Sequence, residues 1–225
     1  SREREASPLW RHMGSWPWPR ALQAELAAAV LERGAGRVGF NIVTSQPSRF
    51  GPADDQAFVR RLTPWKKRLV LAASLGSMDQ GQMAYRELHR PFYAGFGHEG
   101  LTTVMQSPQG IVMAIPGRRW LEEALADFPL PHPQPLAFAA LGRTVPLQPL
   151  AINYLGPAGS LPQVPAWQVQ QQPEGFWRGR TVLIGATAPQ LGDQHETPFG
   201  PQSGAQVQAA ALASLMQGSF KQNLH

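Results

Sequence analysis

The nearest approach to a ligand-bearing cluster around a histidine in the sequence is Asp193, His195 and Glu196, in the run Gly-Asp-Gln-His-Glu on the loop after the apolar stretch Thr181 to Ala186. Residues 193 and 195 alternate, so on extended backbone they point the same way and could share a polar ligand or a divalent ion. One imidazole and two carboxylates lack the third spaced ligand of a metal centre, and surface turns collect the same residue types, so no metal is assigned. The other histidines, His12, His89, His98, His132 and His225, are dispersed, and none has the H-E-x-x-H spacing that puts two ligands on one helix face. The chain has no Cys, which removes thiolate ligands, thiol nucleophiles and disulfides together. Neither a G-x-S-x-G elbow nor a G-x-x-x-x-G-K-[ST] phosphate loop occurs, so nothing speaks positively for catalysis, and no cofactor is expected.

Two further patterns have a chemical reading and a plainer one. Gly34, Gly36 and Gly39 spell G-x-G-x-x-G, but a dinucleotide loop leaves a strand and opens a helix, so that helix amides meet the pyrophosphate. Here a helical pattern ends at Gly34 and a strand pattern begins near Arg37, which makes the glycines a helix stop and a tight strand entry. Arg60, Arg61, Lys66, Lys67 and Arg68 surround Trp65. With one interleaved aromatic there is no stacking platform, and a solvated face between helix and strand is the simpler reading; no nucleic acid is expected as a partner.

The elements that must position these residues interleave along the chain. Pro19 suits a first helical turn, and Leu22, Leu26, Ala29 and Val30 recur on one face up to Gly34. Arg37 to Val43 reads as a strand. Asp54 or Asp55 reads as the N-cap of a second helix carrying Phe58, Val59 and Leu62, and Arg68 to Ala73 as a buried strand. From Gly76 to Gly100 glycines and scattered aromatics give no clean period, and the stretch reads mostly as loop. Ser107-Pro108-Gln109-Gly110 predicts a hairpin turn between Leu101 to Met105 and Ile111 to Ile115. Trp120 to Phe128 reads as a helix stopped by Pro129, Pro131, Pro133 and Pro135, and Leu136 to Leu141 as a short helix. Ala151 to Tyr154 follows as a small strand, Pro165 to Gln170 as a short helix, and Thr181 to Ala186 as a buried strand. Gly204 to Met216 closes as a helix with Val207, Ala211, Leu212 and Leu215 inward. The alternation predicts a single α/β domain, a mainly parallel sheet with helices on both faces and one antiparallel hairpin.

Composition is compatible with this and with little else. The 225 residues are 43% hydrophobic and 16% charged, enough to close a sizeable core and too apolar for global disorder. Twenty Lys and Arg against fifteen Asp and Glu give +5, too mild for a dedicated nucleic-acid binder. No apolar run approaches the ~18 to 20 residues of a membrane span. The opening SREREASPLW lacks an initiator Met and the basic-then-apolar order of a signal peptide, so an excised segment of a longer protein is expected.

One long stretch is more specific. FWRGRTVLIGATAPQLGDQHETPFG, 176–200, followed by GAQVQAAALASLM, 204–216, closely resembles the C-terminal half of the bacterial CHASE type-2 domain. That pattern has a basic-Gly strand entry, an IGATA strand end, GD and TP in the loop, and a helix ending in ALASLL. Upstream, 36–62 resembles the first strand and acidic loop of the family, RLVLAAS its second strand, SPQGIVMAIP its hairpin, and INYLGPAGSLPQV, 152–164, its INY-GP segment. The resemblance runs over roughly 19–218. Two positions depart from it: the first strand commonly ends in Asp where this chain has Asn41, and the last helix commonly carries His where it has Gln208. Two amides keep hydrogen bonding but discard ionisation, which speaks against a pH- or metal-dependent role there.

The resemblance implies a sensory module outside the cytoplasmic membrane, held by flanking membrane helices absent from this chain and followed by a cytoplasmic kinase or nucleotide cyclase. On that reading 1–18 and 219–225 are membrane-proximal segments, the partners are an unknown small-molecule ligand and a second copy in a homodimer, and the domain is no enzyme. Ligands of α/β sheets bind at strand C-terminal ends, which makes Asn41, Asp55, Asn153, Thr187, Asp193 and His195 the candidate polar cluster. Loop and cap hydrogen bonds are the plainer role for all six. The rival classes are a dimerisation module that binds no ligand, marked by exposed apolar surface near Trp16, Trp18 and Trp120, and a hydrolase, marked by a pocket that brings a Ser or Asp to His195.

Overall fold

The computed structural model of the protein describes residues 16–80, 83–93 and 95–218, with backbone alone for 77–80 and 83–85. Helix α1, Arg20–Glu32, is closed by Gly34, whose φ of 96° is left-handed backbone open to glycine. The Gly34 amide donates to Leu31 and the Ala35 amide to Val30, and β1, Arg37–Val43, follows at once. The three glycines therefore stop a helix and admit a strand. Helix α2, Pro52–Leu62, passes through a 3-10 turn, Thr63–Arg68, into β2, Leu69–Gln80. Its N-cap is Gly51, with Pro52 in the first turn. Asp54 and Asp55 thus stand inside the helix, not at the cap, because the proline ring presets the first helical φ two residues earlier.

The stretch expected as loop is largely strand. β3, Met83–His89, runs back along β2 with Ser74 opposite His89 and Gln80 opposite Met83. β4, His98–Leu101, lies parallel to β2 with Val70 opposite His98. Gly76 hides the pattern because it sits inside the strand. A Cβ there would come 3.3 Å from the His89 ring, so the absent side chain makes room for a cross-strand neighbour.

Beyond β4, β5 (Met105–Gln106) and β6 (Val112–Ile115) form the expected hairpin, with the Gly110 amide donating to Ser107. Leu101 belongs to β4 instead. Helix α3, Arg118–Ala124, is shorter than its apolar pattern. β7, Gln134–Pro135, precedes α4, Leu136–Leu141. β8, Leu150–Ala151, joins β5 and β6 in a small sheet, and a 3-10 turn covers Ala166–Gln171. β9, Thr181–Gly185, a short hairpin of β10 (Gln194–Thr197) and β11 (Gly200–Ser203), and α5, Gly204–Gln217, complete the order.

The main sheet has the order β7-β4-β2-β1-β9, with β3 added beside β2; every pairing along that path is parallel. Both faces are covered, as the unbroken apolar run of β2 requires. Val38, Phe40, Leu69 and Leu71 pack with Phe58 and the buried side of α1. Val70, Ala73 and Leu101 pack with Leu136, Val207, Ala211 and Leu215. The mainly parallel sheet with helices on both faces is as expected; the β2–β3 and β10–β11 pairs add to its antiparallel hairpin. The chain steps outward from β1 through β2 and β4 to β7, then returns to place β9 on the other side of β1. The C-terminal ends of β1 and β9 therefore form the switch point of the sheet.

Helix α4 sits unusually close to the strands. A Cβ on Gly100 would lie 2.5 Å from Leu136 Cδ1 and 2.7 Å from Val70 Cγ1. Gly100→Ala is therefore expected to overpack this contact and lower stability by about 1–3 kcal/mol. Urea unfolding would show a lower midpoint at unchanged slope.

Candidate functional site

Asn41 and Gly185 are register partners at the ends of β1 and β9, and Thr187 lies exposed just past that end. A Cβ on Gly185 would meet the Ala205 Cβ at 2.5 Å, so the first turn of α5 sits directly on the switch point. That turn is closed by a capping box: the Gln206 amide donates to Ser203 Oγ, and the Ser203 amide donates to Gln206 Oε1. Asp193 adds a second closure. Its carbonyl accepts the Gly204 amide at 3.1 Å, and its carboxylate covers Gly204 so closely that a Cβ there would lie 2.4 Å from Oδ2. A negative charge at this helix start is favourable. His195 Nε2 is 3.1 Å from Asp193 Oδ1, with both side chains partly open to solvent.

Asn41, Thr187, Asp193 and His195 thus share one end of the sheet, around the start of α5. Asp55 lies at the same end on the opposite face, buried under α2, where it accepts the Ser48 amide at 2.9 Å and the Tyr93 hydroxyl at 2.6 Å. Asn153 lies apart. Its backbone pairs with Ser214, far along α5. Gln208 is buried and donates to the Thr102 carbonyl at 2.8 Å, where a neutral amide closes the end of β4. Among the described residues, no three His, Asp or Glu side chains gather as a metal site.

Two arrangements escape the sequence. Asp54, in the first turn of α2, accepts the Arg20 and Ala21 amides at 2.7 and 2.9 Å. It caps the N-terminus of α1, which Pro19 leaves without a side-chain acceptor. The second is a small, half-open hollow of about 10 Å³, room for about one water, between the 154–163 loop and α5, lined by Tyr154, Ser160, Gln202, Gln206 and Ala210. Gln202 holds its rim by donating to the Gly156 carbonyl at 3.0 Å. Tyr154 is 9% exposed, and its hydroxyl has no hydrogen-bond partner among the described residues. Burial holds this phenol protonated well above its ordinary range. The only sequence signal was the Tyr in INYLGP, because the walls come from three segments.

The His195–Asp193 pair does not line the hollow. Trp18 and Trp120 pack against the two cores, and Trp16 against Trp18 with ring centres 5.7 Å apart, so they form no open apolar patch.

Compared with known proteins, a family model described as CHASE2 domain matches residues 4–224. No curated protein matches the chain, and no solved structure does.

Two outcomes test the buried acid pair. Asp54→Ala should cost about 1–2 kcal/mol in urea unfolding by uncapping α1. Burial first, then the bond to Asp55, raises the Tyr93 phenol far above its ordinary 10.0. The folded state keeps that proton after the unfolded chain has released it, so stability is intact below pH ~10 and falls above it. In Tyr93→Phe this alkaline loss should be shallower, by up to about 1.4 kcal/mol per pH unit, as read from unfolding curves between neutral and alkaline pH.

Proposed function

Because the chain belongs to the CHASE2 domain family, a family of sensory domains in signal-transduction receptors, we propose that it is an extracytoplasmic signal-input domain read out through α5. The observation that carries this reading is the Tyr154 hydroxyl, buried without a partner among the described residues beside the first turns of the helix that ends the described chain. A buried hydroxyl without a partner is costly, and a molecule that supplies one recovers that cost. Such a molecule would also meet Gln206 and Ala210, on α5 itself.

Its effect would be mechanical. An occupant that fits one seating of α5 better than another shifts the balance between them by its differential affinity. A fourteen-residue helix carries the shift ~20 Å, towards the segment 219–225. In this reading that segment and 1–18 are membrane-proximal, the flanking helices lie outside this chain, and the output is a cytoplasmic kinase or cyclase working as a homodimer. No helix of the described residues is long and apolar enough to cross a membrane. The partner is a small polar molecule, not nucleic acid, and no residue performs catalysis.

A second reading rests on the size of the hollow. At about 10 Å³ it is far smaller than the about 300–1,000 Å³ of usual ligand pockets, so a domain that changes only its dimer packing also fits. A thermal-shift screen of amino acids, sugars, nucleotides and divalent ions separates the two. A ligand at about one hundred times its Kd should stabilise the protein by about 2.7 kcal/mol. Tyr154→Phe should abolish that shift while leaving the unliganded protein as stable or up to about 1 kcal/mol more so. If no compound moves Tm and Tyr154→Phe leaves receptor output unchanged, ligand sensing at this hollow is wrong and the packing reading stands.

A further inference from the structure

The end of the sheet where the strands begin is strongly basic. Arg37 opens β1, Arg68 stands just before β2, and Arg180 just before β9. α1 ends at this face beside Arg33, and α2 ends there with Arg60 and Arg61. Lys66 and Lys67 are exposed in the turn that follows. Arg178 packs on Gly34, while Arg143 donates to the Leu215 carbonyl near the end of α5.

Part of this charge has a structural use. Four helices point their C-termini at this face, each worth roughly −0.5 of a charge. Arg37 donates to Ala139 at 2.9 Å, and Arg68 donates to the Gly36 carbonyl at 3.1 Å. Arg61 is paired with Glu25 and Glu32. Those partners do not consume the charge of Arg60, Lys66, Lys67 or Arg178. Of the carboxylates at this end, Glu174 lies on the adjoining loop and Glu99, near the start of β4, pairs with Arg90 at 3.4 Å. The opposite end of the sheet, by contrast, carries Asp54, Asp55, Asp193 and Glu196.

We propose that this basic face lies on an anionic lipid surface, with the strands running away from it. The charges are spread over the ends of separate elements, which suits a diffuse layer of headgroups. Two of the arginines lie on aromatic rings, Arg61 5.6 Å above Trp65 and Arg180 4.7 Å above Phe176. Those rings are therefore covered, and no open stacking platform is left for bases. α5 ends at the same face, and the sequence continues with an apolar and a basic residue, Phe220 and Lys221. The proposal rests on the reading of the domain as one held beside a membrane and adds its orientation.

Sedimentation of the chain with vesicles tests it. Phosphatidylcholine vesicles containing phosphatidylglycerol should bind the protein at about 0.05 M salt and release it at about 0.5 M, as screening predicts. Pure phosphatidylcholine should not bind it. Lys66→Gln, Lys67→Gln and Arg178→Gln should each lower partitioning about fivefold and together about a hundredfold. Arg20→Gln and Arg49→Gln, at the other end of the sheet, should leave it unchanged, and circular dichroism would confirm that every variant is folded. The proposal is overturned if neutral vesicles bind equally, if the triple variant binds like the parent, or if RNA or inorganic polyphosphate binds more tightly than vesicles at matched phosphate. The vesicle assay measures no signalling, so its failure leaves the sensory reading to its own thermal-shift and output tests.

Discussion

The architecture depends on how closely two helices can approach the parallel sheet. Where α5 crosses the end of β9, Gly185 faces Ala205 with no room for another methyl group. Where α4 crosses β4, Gly100 does the same against Leu136. Close-packed interiors do not absorb such volumes without displacement. These contacts fix the distance of both helices from the strands, and with it the position of everything α5 carries: the capping box, the Asp193 closure and one wall of the Tyr154 hollow. A helix seated this tightly moves with the sheet or by a discrete reseating, which is the behaviour a two-state input element requires.

Both faces of the sheet bury polar groups. On the α1 and α2 side, Asp54 closes the start of α1, Asp55 joins the Ser48 amide to the Tyr93 hydroxyl, and Tyr93 stacks on Phe58 with ring centres 4.7 Å apart, while the buried Gln23 Oε1 has no partner among the described residues. On the α5 side, Tyr154 keeps a buried hydroxyl with no partner among the described residues. Buried polar groups are nearly always paired.

What could be read from the sequence followed from the range of the forces involved. The strands at 37–43 and 181–185, the helix at 136–141 and the inward face of α5 were legible because their signals are local: apolar periodicity, a stopping glycine, a proline cluster. The segment 76–100 was not, since its strands alternate small and polar residues whose partners are one another. Asp54 and Asp55 were seen as acidic residues near a helix start, but which helix Asp54 caps is decided by a contact across the fold. Asn41, Thr187, Asp193 and His195 could be grouped because each stands at or just after the C-terminal end of a strand legible in the sequence. Asn153 was misplaced because its short strand ends before it, leaving its backbone to Ser214. The hollow needed three segments at once, which no local pattern announces.

β2 has a double membership. Its first half is a central strand of the sheet, and its second half, paired with β3, continues past the end of β4. The two halves are one unbroken run of backbone, so the projecting pair is a lever ~20 Å long with its fulcrum inside the core. A two-stranded ribbon has little stability of its own, and Leu75 and Leu88 at its root are what fasten it to the body. A sideways load on the ribbon would be felt as torque on β2, the strand beside β1.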